Sequence, residues 1–330
     1  MDALTALLDG PKARGAFLLK SVFNPPWSMR VEDRAPISLV TLTRGRAWVI
    51  PARGGATPLG VGDVAVLRGP DPYTLADAQN TPARIVVGPG QQCSTVDGAE
   101  VTESTVLGVR TWGETPGPDA AVLLSGTYQA PGAVGRRLLN ALPALLVSPA
   151  GPGTAALVSL LADEIDREEP GQELVLDRLL DLLFVTVLRA WLAGPGTGVP
   201  AWYRAQSDPL VGPALRLLHE HPARPWSVQS LAREVGVSRA SLARHFSEVV
   251  GEPPMSYLAN WRLTLAADLL RDPDLTVAAV AQRVGYGNAF AFSAAFKRIR
   301  GMSPTEYRAR PAPTGPHSAG TAPGTVILPG

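Results

Sequence analysis

Hydrophobic positions along the chain change period, and each change predicts a different architecture. From Trp27 to about Val109 they come as short β-branched and apolar runs, at 37–42, 47–50, 64–67 and 84–87, with Gly, Pro and Asp turns between them. Turn signals every ten residues or so predict a small sandwich or barrel. Residues 1–20 read as a short helix in front of it. From Thr154 the period lengthens: 154–169 and 173–193 read as amphipathic helices, broken at Pro170 and Gly171. In the second, Leu176, Leu179, Leu180, Leu183, Phe184, Val187, Leu188 and Trp191 fall at helical spacing on one wide apolar face. Such a face covers the barrel, a second copy of the chain, or both. Residues 194–200 have the composition of a linker. Residues 311–330 form a Pro/Gly/Thr tail without periodicity, expected to be disordered.

The last hundred residues repeat themselves. Residues 231–246 are echoed by 280–296, and Phe246, Gly251, Pro254 and Tyr257 recur as Phe296, Gly301, Pro304 and Tyr307. A repeat means one structural unit used twice. Each copy sets an alanine (Ala232, Ala281) before a glycine (Gly236, Gly285) and a large apolar residue (Leu242, Phe292) after it. Two helices crossing at a tight turn need this: the alanine permits close approach, the glycine relieves the turn, and the apolar residue plugs the crossing. Two helix-turn-helix units in tandem, on a face rich in arginine, predict a DNA-binding domain.

The most specific stretch runs from Arg262 to Arg308. It contains Arg262 with Leu263, Thr276 leading to Gly285 and Tyr286, Phe292 and Phe296 followed by Lys297 and Arg298, and Gly301, Ser303, Pro304 and Tyr307. In these positions the chain resembles the AraC/XylS family of bacterial transcription regulators, strongly over about 205–310. The first two hundred residues more loosely resemble the cupin-like regulatory domain that some members carry. The resemblance implies an α+β chain. A cupin-like β-barrel with amphipathic helices would form a regulatory and dimerisation domain over 1–193. A linker at 194–204, an all-α double helix-turn-helix domain at 205–310 and the tail at 311–330 would follow. It also implies double-stranded DNA as partner, a homodimer, a small-molecule effector and contact with RNA polymerase.

The motif then assigns outward positions. Ser238 is a natural N-cap. With Leu242 and Phe246 inward, Arg239, Ala240, Ser241, Ala243 and Arg244 face out, where a helix in the major groove presents them to base edges. Arg244 is the candidate for a bidentate contact to guanine. On the second recognition helix Asn288, Ala289, Phe290, Ser293, Ala294 and Lys297 face out; Lys297, Arg298 and Arg300 suit phosphates, and Phe290 and Ala289 thymine methyls. Many relatives place arginine where this chain has Ala294, which weakens base reading by the second unit. His245 is expected to graze phosphate, and His219 and His221 to lie on the surface. Ser303, Pro304 and Glu306 form a capping box that starts a last helix, its N-terminus a place for phosphate. A helix over about 255–270 should join the two units.

Charge sharpens the division slightly. Residues 201–330 hold 14 Lys+Arg against 9 Asp+Glu, whereas the rest of the chain is mildly acidic. The candidate chemistry of the barrel is thin. The four histidines, His219, His221, His245 and His317, all fall after it, so a histidine-ligated metal or a Ser-His-Asp triad within the barrel is excluded. With one cysteine, Cys93, a Cys-based zinc site is excluded too. No cofactor or metal is expected. What remains is binding, with Trp27, Arg30, Trp48, Arg68 and Tyr73 as candidate pocket residues and Cys93 as a conceivable redox thiol. No signal peptide or membrane span is read, and a cytoplasmic protein is expected. Two other readings stay open: a cupin-type enzyme with a DNA-binding tail, and a ligand-independent architectural DNA binder.

Overall fold

The computed structural model of the chain describes residues 17–99, 106–108, 110–128, 139–167, 169–194 and 201–310. The chain divides into two compact units, and the division falls within a helix, between Leu180 and Asp181.

The β-rich unit has strands β1 (Phe17–Phe23), β2 (Ser28–Val31), β3 (Ile37–Arg44), β4 (Ala47–Pro51), β5 (Thr57–Leu59), β6 (Val64–Arg68) and β7 (Tyr73–Ala76). These are followed by β8 (Ile85–Val87), β9 (Cys93–Thr95), β10 (Val106–Gly108), β11 (Thr111–Gly113), β12 (Ala121–Tyr128) and β13 (Leu145–Ser148). One sheet runs β10-β11-β1-β12-β3-β6-β13 and the other β5-β4-β7-β2-β8-β9. Val40, Leu42, Val49, Leu59, Ala65, Leu75 and Leu123 meet in a shared core, with Trp27 stacked on Phe23 at 5.1 Å. The cupin-like architecture expected from the sequence is therefore present.

The four strand segments anticipated from apolar runs all form. Residues 17–20, expected to be helical, do not follow the expectation: they open β1, which pairs with β12 on one side and β11 on the other. Flanked on both sides, this apolar segment satisfies its backbone groups in the ladder, and tertiary pairing overrides local preference. Residues 1–16 of that expected helix lie outside the described residues. β12 was not anticipated, yet it pairs with both β1 and β3 and is central to its sheet.

Helices α1 (Pro152–Ile165) and α2 (Gln172–Ala193) follow, within a few residues of the expected bounds. The start of α2 is seated on β12. Gly126 has no side chain where Leu180 presses in, and Tyr128 donates to the Leu180 carbonyl at 2.9 Å. Leu180, Leu183, Phe184, Val187 and Leu188 are all buried within the single chain. Of the coverings the sequence left open for this face, a second copy is not needed to bury these five residues. Leu174 and Leu182, on another side of α2, are 60% and 52% exposed instead.

The helical unit holds α3 (Ala201–Arg204), α4 (Val211–Glu220), α5 (Val228–Glu234), α6 (Arg239–Val250), α7 (Pro254–Leu269), α8 (Val277–Arg283), α9 (Ala289–Arg300) and α10 (Pro304–Ala309). Residues 201–204, read as linker, are helical. It contains two cores. One gathers Leu215, Leu218, Leu231, Leu242, Phe246 and Leu258; the other Leu263, Leu270, Val280, Val284, Phe292 and Phe296. The tail at 311–330 lies outside the described residues.

Candidate nucleic-acid interface

Each half of the helical unit is a pair of short helices crossing at a glycine. In the first pair, α5 ends in a closed loop: Gly236 donates to the Arg233 carbonyl at 3.2 Å and Val237 to that of Ala232 at 3.0 Å. In the second, Gly285 donates to Gln282 at 3.0 Å and Tyr286 to Ala281 at 2.8 Å. This two-bond closure puts its glycine in the left-handed region, where φ is 75° at Gly236 and 85° at Gly285. Gly285 is constrained twice, since a Cβ there would stand 2.6 Å from the backbone of Ala223. The plugs sit where the spacing put them: Leu242 and Phe292, like Phe246 and Phe296, are completely buried.

The outer helices are started and stopped alike. Ser238 accepts from the Ser241 N–H at 3.1 Å and Asn288 from that of Ala291 at 2.8 Å, while Gly251 and Gly301 end α6 and α9 in left-handed caps. These caps set the register in which side chains leave each helix. On α6, Arg239, Ala240 and Arg244 are exposed, and Ser241 and Ala243 half-buried beside them. On α9, Asn288, Phe290, Ala294, Lys297 and Arg298 are exposed, with Ala289 and Ser293 half-buried. Exposed among the nominated positions are thus Arg239, Ala240 and Arg244 on α6 and Asn288, Phe290, Ala294, Lys297 and Arg298 on α9. Ala291, exposed between Phe290 and Ala294, belongs with them and was missed. Its place three after the Asn288 cap was the available signal.

The two outer faces differ in chemistry. That of α6 carries two arginines for which the described residues provide no hydrogen-bond partner. That of α9 is apolar at its front, where Phe290 is 85% exposed, and basic behind, at Lys297 and Arg298. α7 joins the two pairs.

Several expected contacts go elsewhere. His245 faces Asp208, with Nε2 2.9 Å from its carboxylate, instead of facing outward. Asp208 also accepts from the N–H groups of Leu210 and Val211, pinning α6 to the start of α4. Burial works to raise the Asp208 pKa, but the two N–H groups and His245 outweigh it and hold the carboxyl below its ordinary range. His219, expected at the surface, is buried, its Nε2 2.7 Å from the Tyr257 hydroxyl and its ring 4.7 Å from that of Trp261. Helical spacing had put it on the inner face of α4, a signal that its polar character masked. Arg300 turns inward and donates to Thr264 at 3.1 Å. At the start of α10, Glu306 accepts from the Ser303 N–H at 2.7 Å and donates its own N–H to the Ser303 hydroxyl at 3.2 Å, the capping box that the sequence predicts.

Part of the positive charge is structural. Arg262 donates to the carbonyls of Pro222 and Arg224, and Arg308 to those of Leu270 and Leu275. Arg271 lies 4.6 Å over the Tyr307 ring. These arginines bind loops between helices and are not part of the outer face.

Of the residues nominated for a barrel pocket, two come together. Arg68 and Tyr73 line one cleft with Arg34 and Arg53. Trp27 is buried in the core, Arg30 pairs with Glu32, and Trp48 is half-buried on β4 away from the cleft. Burial pushes the Cys93 thiol up, which disfavours the reactive thiolate. Among the described residues no group of three or more His, Cys, Asp or Glu is placed to hold a metal ion. No described helix is long and apolar enough to cross a membrane.

A cupin-like barrel followed by a tandem helix-turn-helix unit defines a class of DNA-binding regulators, and comparison with known proteins agrees. A cupin family model matches residues 2–193, and a helix-turn-helix domain model matches 231–310. An AraC-like transcription regulator from Streptomyces lividans is 32% identical over 317 residues, spanning 94% of this chain and 99% of the relative. Another from Streptomyces antibioticus is 32% identical over 320 residues, spanning 95% and 100%. The HTH-type transcriptional regulator AlkR of Acinetobacter baylyi is 36% identical over 181 residues, 53% of this chain and 59% of its own length. The chain belongs to the family of AraC-like transcription regulators, with an N-terminal cupin domain; it is a DNA-binding regulator and not an enzyme.

Proposed function

We propose that this regulator binds a specific double-stranded DNA site through α6 and α9, laid in successive major-groove segments, and that its cupin domain binds a small effector and mediates homodimerisation. It works in the cytoplasm, with RNA polymerase as the partner that reads its position on DNA. Residues 1–193 would form the regulatory part and 205–310 the DNA-binding part. The observation that carries the reading is the matched pair of capped helices whose outer faces present Arg239 and Arg244 on one side and Phe290, Lys297 and Arg298 on the other. Arg244 supplies the forked donor suited to guanine. Phe290, with Ala289 and Ala294 beside it, suits thymine methyl groups, the apolar feature of the major groove. Lys297 and Arg298 hold phosphates and position the helix.

Binding-site selection with the full chain should recover a two-part motif, and affinity for it should fall steeply as salt rises, because bound phosphates release counterions. Folded protein that enriches no sequence, or whose binding ignores salt, would refute the reading.

A further inference from the structure

The cleft on the barrel is built unlike the rest of the domain surface. The turn between β2 and β3 places Arg34 at φ 58°, and Gln91 stands at φ 61°; these are the two non-glycine residues with positive φ among the described residues. One buried carboxylate holds Gln91 and the residue that follows Arg34. Asp33 accepts from the Ala35 N–H at 3.0 Å through one oxygen and from the Gln91 amide at 3.0 Å through the other. Gly69, on the chain leaving β6, packs so close that a Cβ would stand 1.9 Å from the Ala35 carbonyl oxygen. Strain that is pinned from several sides, at a mouth open to solvent, marks a place where geometry is held for use.

What this turn holds is a guanidinium. Arg34, Arg53 and Arg68 line the cleft, and none of the three makes a side-chain hydrogen bond or ion pair with a described residue. Two carboxylates share the cleft, but Asp33 is buried with both oxygens occupied, leaving Asp71 at the rim against three cations. Tyr73 closes one wall. Burial raises its hydroxyl well above the ordinary phenol range, against the opposing pull of Ser38, so it stays a neutral donor. The cleft measures about 420 Å³ to its open mouth. It therefore admits a compact head group, with Leu67, Pro51 and Ala144 offering apolar wall beside it.

We propose that this cleft is an oxyanion site, in which Arg34, Arg53 and Arg68 receive the carboxylate or phosphate head of a small ligand. Arginine forks match both groups in geometry and charge, and an anion relieves the mutual repulsion of three unpaired guanidiniums. The site gives the effector reading of the barrel a location and a ligand chemistry. It rests on that reading for its regulatory meaning, while its binding test uses no DNA, so the two fail separately.

The experiment is thermal melting and calorimetric titration of the full chain with sodium phosphate, sodium benzoate, benzamide and sodium chloride at matched ionic strength. Phosphate or benzoate should raise the melting temperature saturably, and benzamide and chloride should not. Whichever of the two acids binds tighter identifies the head group, and either result supports the site. Arg68→Gln and Arg53→Gln should each weaken binding at least tenfold without lowering the melting temperature of the unliganded chain, since these side chains hold no partner and each substitution removes one of three like charges. Arg34→Gly should also lose binding and yet melt higher, because glycine adopts that φ without strain. Shifts equal to those of chloride, or unaltered in all three variants, would mean adventitious ions only and overturn the proposal.

Discussion

At the scale of the residue, the two outer helices divide recognition by chemistry. Arg244 leaves α6 exposed, a planar fork on a capped helix, whereas the equivalent position on α9 is Ala294. Arg244→Ala should relax base preference at one position and cost about 1–3 kcal/mol on the selected site. Lys297→Ala should weaken binding to all sequences alike and lower the salt slope by about one. If site selection showed Lys297→Ala reshaping the motif and Arg244→Ala leaving it intact, the roles would be reversed. Phe290 allows a chemically narrower test. Replacing individual thymines of the selected site by deoxyuridine removes only a methyl group, and one such replacement should weaken the native chain and leave Phe290→Ala unaffected. Equal sensitivity in both proteins would remove Phe290 from the interface.

At the scale of the element, the same motif is held with different stringency in its two copies. Gly236 needs glycine for its φ alone, with open space where a Cβ would point, whereas Gly285 needs it for φ and for the backbone of Ala223 at 2.6 Å. Gly236→Ala should thus cost about 1–2 kcal/mol, the ordinary penalty of the left-handed region. Gly285→Ala should cost more, because the Ala223 segment must move; denaturant melts of the two variants compare them directly. Equal losses would show that the contact at Ala223 yields freely. Helix α2 carries a second expectation. Its broad apolar face is buried within the chain, and the large apolar side chains it leaves exposed are Leu174, Val175 and Leu182. Leu174→Glu with Leu182→Glu should shift sedimentation of the full chain towards monomer. A dimer undisturbed by both charges would place the interface elsewhere.

At the scale of the whole molecule, the recognition surface depends on contacts remote from it. Asp208 caps α4 and holds His245 of α6, and its pKa lies below the ordinary carboxylate range. A depressed carboxyl adds stability above its unfolded pKa, about 3.9, and that contribution is lost as pH falls through the lower folded value. Asp208→Asn should therefore melt lower than the native chain at pH 7, and the difference should narrow in acid below about pH 4. Parallel curves across that range would mean that the ionised carboxyl contributes nothing.

The tandem repeat was legible in the sequence because it rests on local physics. A cap such as Ser238 or Asn288, a left-handed glycine such as Gly236 or Gly285, and a plug such as Leu242 or Phe292 each act within one turn of chain, so spacing alone determined two helix-turn-helix units and the outward register of their recognition helices. Short apolar runs likewise determined that the first half is β-rich. The tertiary structure decided whatever depends on distant partners. It made a strand of Phe17–Phe23 by flanking it with β11 and β12, and it absorbed the Leu183 and Val187 face of α2 that periodicity left open. It buried His219, tied His245 to Asp208 and Arg300 to Thr264, and gathered Arg34, Arg53, Arg68 and Tyr73 around one cleft. Periodicity shows that a face will be covered; which surface covers it is settled by packing between segments far apart in the chain.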